Sequence, residues 1–579
     1  MKKRIVNALF SVFALASLAC ADVTLNIADF GAKPDGSDST EAVRKALESA
    51  RNIDDNVVIV FPKGKYNFGG DMAFEKYEFI SNNDEGLKRI VFPVFNMKNL
   101  TVDGQGSDFV FYGFVNPFFV EDSKDINFKN FTVDVARPFH SEGVIVENCD
   151  DGMILQIPEN FPYRINEGVL EFTDGRERNA IQTTVSKEVI FEHGGLLEFD
   201  ARKRETAYMA KDYWTTGKLV AQDLGARKVK IFNKRVKGTV GNILVFSCGH
   251  RNYPAFTFSG GSNIGIENVT VFACGGMGVL GQNVDNVFVK NSKFTPAKGR
   301  IVSCTADATH FVNCTGEILL DGNLFENQMD DATNIHGIYE QISKRLDSNT
   351  VISRLVHPQQ YGFKTFKVGD KVEFVHGKSM ITFHENKIKN VEVINKEFKK
   401  ITFVSDLPEA LVGDAIAVVR DYPEIKIRNN YIGKNRARGM LLNCRGKTVV
   451  ENNIFHAPGA ALLFEGDACY WFEQGGVRDC TIRNNFFDNC RFGVWGKGVI
   501  AVAAGIKEEL EKSRYNRNIE IYGNTFKIFD DCPLLDVYCV DGLKWHDNKI
   551  IKTRDYPARE FKNSKRFNIS HSDNIDIKE

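Results

Sequence analysis

The sequence shows no excess of charge of either sign and little cysteine. Its 74 Lys and Arg residues against 75 Asp and Glu residues give a net charge of −1, which argues against a nucleic-acid-binding protein. Twelve cysteines in 579 residues are too few for a disulfide-rich scaffold. The sequence also lacks C-x-x-C, H-E-x-x-H, P-loop and G-x-S-x-G motifs, which excludes the common zinc, nucleotide and serine-hydrolase signatures.

The N-terminus has the pattern of a bacterial export signal. A basic start is followed by an apolar run over 5–19 and by the small-residue cleavage site Ala19-Cys20-Ala21. The run is too short for a membrane span, and no later segment reaches the roughly 18 apolar residues that a span requires. We therefore expect a signal peptide at 1–21 and an exported periplasmic or cell-surface protein. The sequence before Cys20 partly resembles a lipoprotein box. A lipid anchor at Cys20 is therefore an alternative to free export, and it would be the contact with the membrane.

Short segments recur along the chain, and each is an alternating apolar–polar run that ends in asparagine. The spacing is 23 or 24 residues where no loop intervenes, and the recurring positions are Asn323, Asn430, Asn453, Asn485, Asn524 and Asn548. Alternation predicts a strand, asparagine suits a turn, and a period of this length is typical of a parallel β-helix. The sequence predicts an all-β, right-handed parallel β-helix with stacked Asn side chains. The alternative is a β-sandwich with chance similarity between its strands.

The N-terminal segment predicts a cap for this helix. An amphipathic stretch follows Asp38 and Ser39, either of which can cap it, and runs to Ala50. A strand and a P-x-G-x-Y turn over 62–66 come next. A helix that covers the open end of stacked coils protects their edge strands. This block resembles the opening of pectin-degrading β-helix enzymes.

Two long segments, 140–248 and 338–420, interrupt the repeats. Both contain short alternating strands. The same motif marks the end of each, Arg-Asn-Tyr-Pro at 251–254 and Arg-Asp-Tyr-Pro at 420–423. We expect two related small β-barrels, and insertions on a repeat scaffold usually lie at the binding face. The predicted domains are the signal peptide 1–21, the capped first part of the β-helix 22–139, the first barrel 140–248, the catalytic coils 249–337, the second barrel 338–420 and the last part of the β-helix 421–579.

The acidic residues Asp307, Asp330 and Asp331 are the candidate catalytic groups. The tripeptide Asp-Ala-Thr begins at Asp307 and again at Asp331, 24 residues later, which is one coil. Stacked coils would place these two side chains about 4.8 Å apart, with Asp330 beside them. Crowding raises the pKa of at least one carboxyl, and glycosidic cleavage needs one protonated and one ionised carboxyl. Turn-forming aspartates and a Ca²⁺ site are the alternatives.

The residues around this patch supply candidates for substrate binding. Two arginines follow the second insertion, and the segment 464–473 mixes acids with aromatic residues, as sugar sites do. A histidine closely follows the Asp pair. Solvated surface and core packing are the alternative roles. The predicted substrate-binding residues are Arg436, Arg438, Glu465, Asp467, Trp471 and His336, with weaker support for His250, Arg251 and Trp495. No metal and no cofactor are expected.

The N-terminal block, the motifs Thr305-Ala306-Asp307 and Met329–Asn334, and the double insertion together resemble glycoside hydrolase family 110. The resemblance covers nearly all of the chain after the signal. It implies an exo-acting, inverting, metal-independent α-1,3-galactosidase from a gut-type bacterium. The implied substrates are terminal α-1,3-galactose on blood-group-B-type glycans and, in one subgroup, linear α-1,3-galactosyl ends.

The same resemblance implies that the three aspartates are catalytic, with Asp330 as the acid and Asp307 and Asp331 holding the water. Inverting enzymes usually separate their two carboxyls by about 6.5–9.5 Å, which is more than one coil step. The diagonal from Asp307 to Asp330 is therefore expected to be longer than the step from Asp307 to Asp331.

Two other functions fit the predicted fold. A polygalacturonase-like hydrolase would share the β-helix and the Asp patch, but its polyanionic substrate would need a groove lined with Lys and Arg. A non-catalytic glycan-binding β-helix protein would not need three clustered aspartates. In each case the partner is an oligosaccharide or glycoconjugate. An oligomer is also compatible with the sequence, since the inserted barrels could pack between chains.

Overall fold

In the computed structural model the described residues are 22–175, 189–215, 218–409, 411–561 and 565–579. The predicted signal peptide, with Cys20, lies outside them. Across the described residues the chain is nearly all β and folds as a parallel β-helix, as predicted. No helix within these ranges is long and apolar enough to cross a bilayer.

Two long sheets run the length of the β-helix. The first long sheet contains Val23–Asn26, Val57–Val60, Lys65–Phe68, Lys98–Phe111, Lys124–Val135, Ser262–Val271, Asp285–Lys290, Lys293–Phe294, Thr315–Asp321, Leu324–Glu326, Glu424–Arg428, Tyr431–Gly433, Thr448–Glu451, Ile454–His456, Cys480–Arg483, Phe486–Asp488, Asn516–Tyr522, Thr525–Ile528, Val540–His546, Lys549–Lys552 and Asp573–Ile577. The second long sheet contains Phe74–Ile80, Asp84–Phe95, Asn116–Glu121, Phe256–Ser259, Val279–Gln282, Thr309–Val312, Thr333–Ile338, Met440–Leu442, Leu462–Phe464, Glu473–Gln474, Ile500–Ala503, Leu535–Tyr538 and Phe567–Ser570.

The recurring asparagines hold successive coils in register. Oδ1 of Asn453 accepts hydrogen bonds from the backbone N–H and from Nδ2 of Asn430, at 3.0 and 2.9 Å. Nδ2 of Asn453 donates in turn to Oδ1 of Asn485, at 3.0 Å. The same contact repeats from Asn323 to Asn548, so the predicted Asn stack is confirmed. Because a buried amide without partners is costly, a slip of one coil against the next is strongly disfavoured.

Apolar side chains inside the coils stack in the same register. Phe455, Phe487 and Phe526 lie on consecutive coils with ring centroids 5.1 and 4.5 Å apart and nearly parallel planes. No single coil could bury such rings alone, so the core is continuous along the β-helix. This stacking fixes the height of every turn, including the turns that carry the candidate site.

The predicted cap is the helix Thr40–Arg51, whose apolar face packs on the core. Of the two candidate caps, Asp38 accepts a hydrogen bond from the backbone N–H of Thr40, at 2.9 Å. The described residues also contain two short 3₁₀ helices, Ile27–Phe30 and Pro358–Gln360. The helix closes the N-terminal end of the stack.

The two insertions form their own sheets. In the described part of the first, the strands are Ser141–Cys149, Gly152–Gln156, Tyr163–Asn166, Val169–Thr173, Ile190–Phe191, His193–Asp200, Glu205–Thr206, Tyr213–Trp214, Ala221–Gly225, Lys228–Ile231 and Ile243–Cys248. The second closes into a barrel of the strands Glu340–Arg345, Thr350–Arg354, Lys371–Val375, Thr382–Val393, Phe398–Phe403 and Ala415–Val419.

The first insertion folds back onto the coils next to the aspartates. The backbone N–H of Thr206 donates to the carbonyl of Lys434, at 3.3 Å. Nδ2 of Asn327 donates to the carbonyl of Arg204, at 2.9 Å. The insertion therefore forms one wall above the turns that precede Asp330 and Arg436.

Candidate active site

The three predicted catalytic aspartates come together. Strands Thr309–Val312 and Thr333–Ile338 pair in parallel with Thr309 opposite Thr333, which places Asp307 and Asp331 on consecutive coils. The backbone N–H of Asp331 donates to Oδ1 of Asp307, at 3.3 Å. One oxygen from each of Asp307, Asp330 and Asp331 lies within 4.8 Å of the others. This separation is shorter than the roughly 6.5–9.5 Å usual for inverting enzymes, and the longer diagonal from Asp307 to Asp330 stays a prediction.

Three arginines surround this acidic cluster. Oδ1 of Asp330 accepts from Arg436 at 3.0 Å, and its Oδ2 accepts from Arg251 at 3.3 Å. Arg438 donates through Nε and Nη2 to the two oxygens of Asp331, at 3.1 and 2.8 Å. Paired, hydrogen-bonded charges are the form in which buried carboxylates are tolerated. The arginines therefore make it possible for the three acids to lie so close together.

Burial and charge divide the protons among the three carboxyls. Burial raises the pKa of Asp307 to about 8, and the charge of Asp330 adds to this effect. Burial also raises the pKa of Asp331 to about 7, although Arg438 opposes it. For Asp330, burial is outweighed by Arg436 and the other two arginines, so its pKa is lowered. At neutral pH Asp330 is therefore ionised, Asp307 is mostly protonated, and Asp331 lies near the midpoint of its titration.

One asparagine side chain shapes the loop that delivers two of the arginines. Nδ2 of the buried Asn435 donates to the carbonyls of Asp330, Arg436 and Arg438, at 2.9, 3.0 and 2.7 Å. A single amide thus ties the arginine loop to the coil that carries the Asp pair. This contact explains why two residues separated by one position in sequence both reach the acidic cluster.

The first insertion contributes a residue that the sequence pattern did not identify. Asp212 accepts from Nε and Nη2 of Arg436, at 2.7 and 3.0 Å. Nε1 of Trp495 donates to the same carboxylate, at 3.0 Å. Arg436 is thereby fixed between Asp212 and Asp330. Asp212 belongs to no repeat and lies far from the coils in sequence, so no spacing pointed to it.

A cavity of about 410 Å³ lies between the first insertion and the coils. Asp330 and Arg436 line its floor, and two tryptophans, Trp214 and Trp471, lie among its walls. Their side chains are 67% and 38% exposed, which leaves aromatic surface free to stack on a sugar. Asp307 and Asp331 are nearly inaccessible, so Asp330 is the member of the cluster that meets a ligand in this cavity.

Glu465 lies at the edge of the site. It is half-buried, and burial raises its pKa to about 7 while Arg438 opposes the rise. It lines a larger hollow of about 1040 Å³ that continues along the C-terminal coils. Among the predicted substrate-binding residues, Arg436 and Trp471 line the smaller cavity, and Arg438 contacts the acids behind it.

His336 and Asp467, two of the predicted substrate-binding residues, do not line this cavity. His336 is buried, and its Nδ1 donates to the carbonyl of Gly337, at 2.7 Å. Oδ1 of Asp467 accepts from the backbone N–H groups of Cys469, Tyr470 and Trp471, at 2.9, 2.5 and 3.1 Å. Both side chains are engaged by the protein itself. Asp467 shapes the turn that presents Trp471, and His336 lies behind the acidic cluster.

The three aspartates could offer one oxygen each to a cation. Arginines already engage both oxygens of Asp330 and of Asp331, however, and their positive charge repels a second cation. The donor set therefore fits a charge-compensated acid cluster better than the alternative Ca²⁺ site, which would use oxygens free of such partners.

The fold and the site define a carbohydrate-active β-helix enzyme. Family models match the chain as GLAA-B beta-barrel domain I over 141–244, GLAA-B beta-barrel domain II over 350–416 and a rhamnogalacturonase A/epimerase, pectate lyase-like model over 24–80. Among solved structures, the A-module of mannuronan C-5 epimerase AlgE4 from Azotobacter vinelandii aligns over 94% of this chain and 99% of that chain, at 10% identity and a TM-score of 0.39.

Curated relatives match over almost the entire length. Alpha-1,3-galactosidase A from Shewanella woodyi is 35% identical over 93% of this chain and 87% of that protein. An alpha-1,3-galactosidase B from Phocaeicola vulgatus is 31% identical over 100% of this chain and 98% of that protein. The chain belongs to the alpha-1,3-galactosidase family and is a glycoside hydrolase.

The pairing of Asp212 with Arg436 predicts a role for the first insertion in catalysis. Asp212→Asn keeps the shape but removes the charge that orients Arg436, and a charged hydrogen-bonded pair is worth about 1.5–3 kcal/mol. We expect kcat/KM to fall about 10- to 100-fold with little change in thermal stability. Asp223→Asn, on an exposed strand of the same insertion, is the matched control. Unchanged kcat/KM in Asp212→Asn would show that the insertion does not position Arg436.

Proposed function

We propose that this protein is a member of glycoside hydrolase family 110 that releases terminal α-1,3-linked galactose from blood-group-B-type glycans, and from linear α-1,3-galactosyl ends where these fit the pocket. The observation that carries this proposal is the acidic cluster opening through Asp330 onto a walled cavity with aromatic surface. Membership of the alpha-1,3-galactosidase family supports the choice of sugar and linkage. A cavity closed on one side by the first insertion suits an enzyme that removes one terminal residue.

The charges of the cavity favour a neutral sugar over a polyuronate. The two arginines that line it, Arg251 and Arg436, are both paired with Asp330. A polygalacturonase-like enzyme would instead need unpaired cations to bind the carboxylates of its substrate. A non-catalytic binding protein would bear the cost of burying three carboxyls without using them. Both alternatives are therefore less well supported than a galactosidase.

In the proposed reaction Asp330 acts as the acid, because it is the carboxyl that lines the cavity. The arginines keep it ionised in the free protein, so it takes up a proton when sugar enters. A bound sugar excludes water and draws hydrogen bonds from the arginines, and both changes raise the pKa of Asp330. The proton then passes to the leaving oxygen as the bond to the anomeric carbon breaks. Water held by Asp307 and Asp331 attacks that carbon from the opposite face.

Inversion is part of the proposal, although one oxygen from each aspartate lies within 4.8 Å of the others, which is less than the carboxyl separation usual for inverting enzymes. A retaining mechanism needs one carboxylate with an oxygen free to attack. Arginines hold both oxygens of Asp330 and of Asp331. His310 and the Asp331 backbone hold those of Asp307. Water, rather than a carboxylate, is thus the nucleophile that this arrangement favours.

We also propose that the protein is exported to the periplasm or the cell surface, since its sequence begins with a signal-like segment. Sequencing the N-terminus of the protein recovered from the cell envelope tests this. A start at Asp22 indicates free export, and an acylated Cys20 indicates a lipoprotein. A start at Met1 would contradict export.

The proposed activity predicts the first product seen by proton NMR. When purified enzyme is mixed with blood-group-B trisaccharide, we expect β-galactose to appear first and to mutarotate later. Linear α-1,3-galactobiose and polygalacturonate are the comparison substrates. Initial α-galactose would contradict inversion, and release of galacturonate alone would contradict the choice of substrate.

The proposed roles predict how single variants differ. Asp330→Asn should lose about 10³-fold in kcat on the natural glycan but much less on an aryl α-galactoside whose leaving group needs no protonation. Asp307→Asn and Asp331→Asn should lose activity on both substrates. Asp321→Asn, on the outer face of the same region, is the control and should keep full activity. Equal losses of Asp330→Asn on both substrates would show that Asp330 is not the acid.

A further inference from the structure

Two histidines extend the acidic cluster into the protein interior. Oδ2 of Asp307 lies 2.6 Å from Nδ1 of His310, and Nε2 of His310 lies 3.0 Å from Nε2 of His336. Nδ1 of His336 lies 2.7 Å from the carbonyl oxygen of Gly337. All three side chains are buried, and neither histidine lines the cavity of about 410 Å³. They form an unbroken chain of hydrogen bonds that begins at a catalytic carboxyl and ends at the backbone.

The last acceptor fixes the direction of every hydrogen bond in this chain. The carbonyl of Gly337 only accepts, so a neutral His336 carries its hydrogen on Nδ1 and accepts at Nε2. His310 must then donate from Nε2, which leaves its Nδ1 as an acceptor. The donor to that nitrogen is a protonated Asp307, through Oδ2. The series of hydrogen bonds therefore contains one carboxylic acid, Asp307, and two neutral imidazoles, His310 and His336.

The pKa values agree with this assignment. Burial lowers the pKa of His310 to about 4 and also lowers that of His336. Burial raises the pKa of Asp307 to about 8. The groups that face the histidines from other elements are Glu473, whose Oε1 is 3.5 Å from Nε2 of His336, and the more distant Arg251 and Asp330.

The position of the proton on Asp307 limits what this carboxyl can do. The proton on Oδ2 points at His310, whereas Oδ1 accepts from the backbone N–H of Asp331 in the cluster. Asp307 in this form cannot hand its proton directly to a sugar. It can accept a proton from water on Oδ1, provided that the proton on Oδ2 leaves at the same time.

We propose that His310 and His336 are positioning residues that form a proton relay and thereby make Asp307 the water-activating base; this rests on the proposed glycosidase function. As water attacks, its proton forms a bond to Oδ1 of Asp307. The Oδ2–H bond breaks while Nδ1–H forms on His310, and the Nε2–H bond of His310 breaks while Nε2–H forms on His336. One proton has then moved from water to His336, which becomes a cation beside Glu473. After product leaves, the same proton transfers run in the opposite direction and restore the starting hydrogen bonds.

The first test compares His310→Gln and His336→Gln with His193→Gln, a variant of a buried histidine that takes no part in this series of hydrogen bonds. The amide oxygen in His336→Gln still accepts from His310, so it keeps the tautomer but cannot take the proton. We expect both relay variants to lose about 10- to 100-fold in kcat with KM unchanged. The loss should shrink above about pH 8, where Asp307 ionises and no longer needs the relay. A His336→Gln variant with wild-type kcat, or a loss that is the same at every pH, would overturn the proposal.

The second test needs no turnover and so separates the relay from the proposed substrate. In wild-type protein with ¹⁵N-labelled histidine, NMR should show His310 protonated at Nε2 alone and His336 at Nδ1 alone between pH 6 and about 7. Single variants assign the two signals. An imidazolium at His310 in this range would mean that Asp307 is already ionised, which overturns the relay. If the tautomers are as expected but no galactose is released from any α-galactoside, the proposed function fails and the relay does not.

Discussion

Three carboxyl groups within a few ångströms of one another repel strongly, and the architecture of this protein compensates that repulsion at one place. Arg251, Arg436 and Arg438 supply positive charge on the side of Asp330 and Asp331. On the other side burial keeps Asp307 protonated toward His310. The cluster is thus divided into an ionised part at the cavity and a protonated part in the interior. The proposed reaction needs the reverse distribution, so Asp330 must gain a proton as sugar enters and Asp307 must pass its proton to His310 as water attacks.

The β-helix supplies the spacing, and the insertions supply the surroundings. The Asn stack and the ring stack fix each coil at one height, so Asp307 and Asp331 must lie next to each other. A coil stack alone would present these acids on an open face. The first insertion folds over that face, adds Asp212 to Arg436 and forms a wall of the cavity. The scaffold therefore determines proximity, and the insertion converts a surface into a pocket.

The parts of this account that could be predicted from sequence are those that repeat. The period of the Asn motif predicted the β-helix and its amide stack, and the repeated Asp-Ala-Thr predicted that Asp307 and Asp331 would meet. Contacts between segments without a common repeat were out of reach. Asp212 meets Arg436 across 224 residues of sequence, and no pattern links them. His310 follows Asp307 by three residues, but that spacing does not show that His310 contacts His336, and the burial of His336 depends on packing between coils.

A crystal structure of Asp330→Asn with intact blood-group-B trisaccharide tests the central claim most directly, because the variant should bind the glycan without cleaving it. We predict terminal galactose in the cavity beside Trp214 and Trp471, with the glycosidic oxygen within hydrogen-bonding distance of residue 330. Its anomeric carbon should present the opposite face to Asp307 and Asp331, with a water between. A galactose bound elsewhere, or one whose anomeric carbon faces away from both carboxyls, would contradict the account.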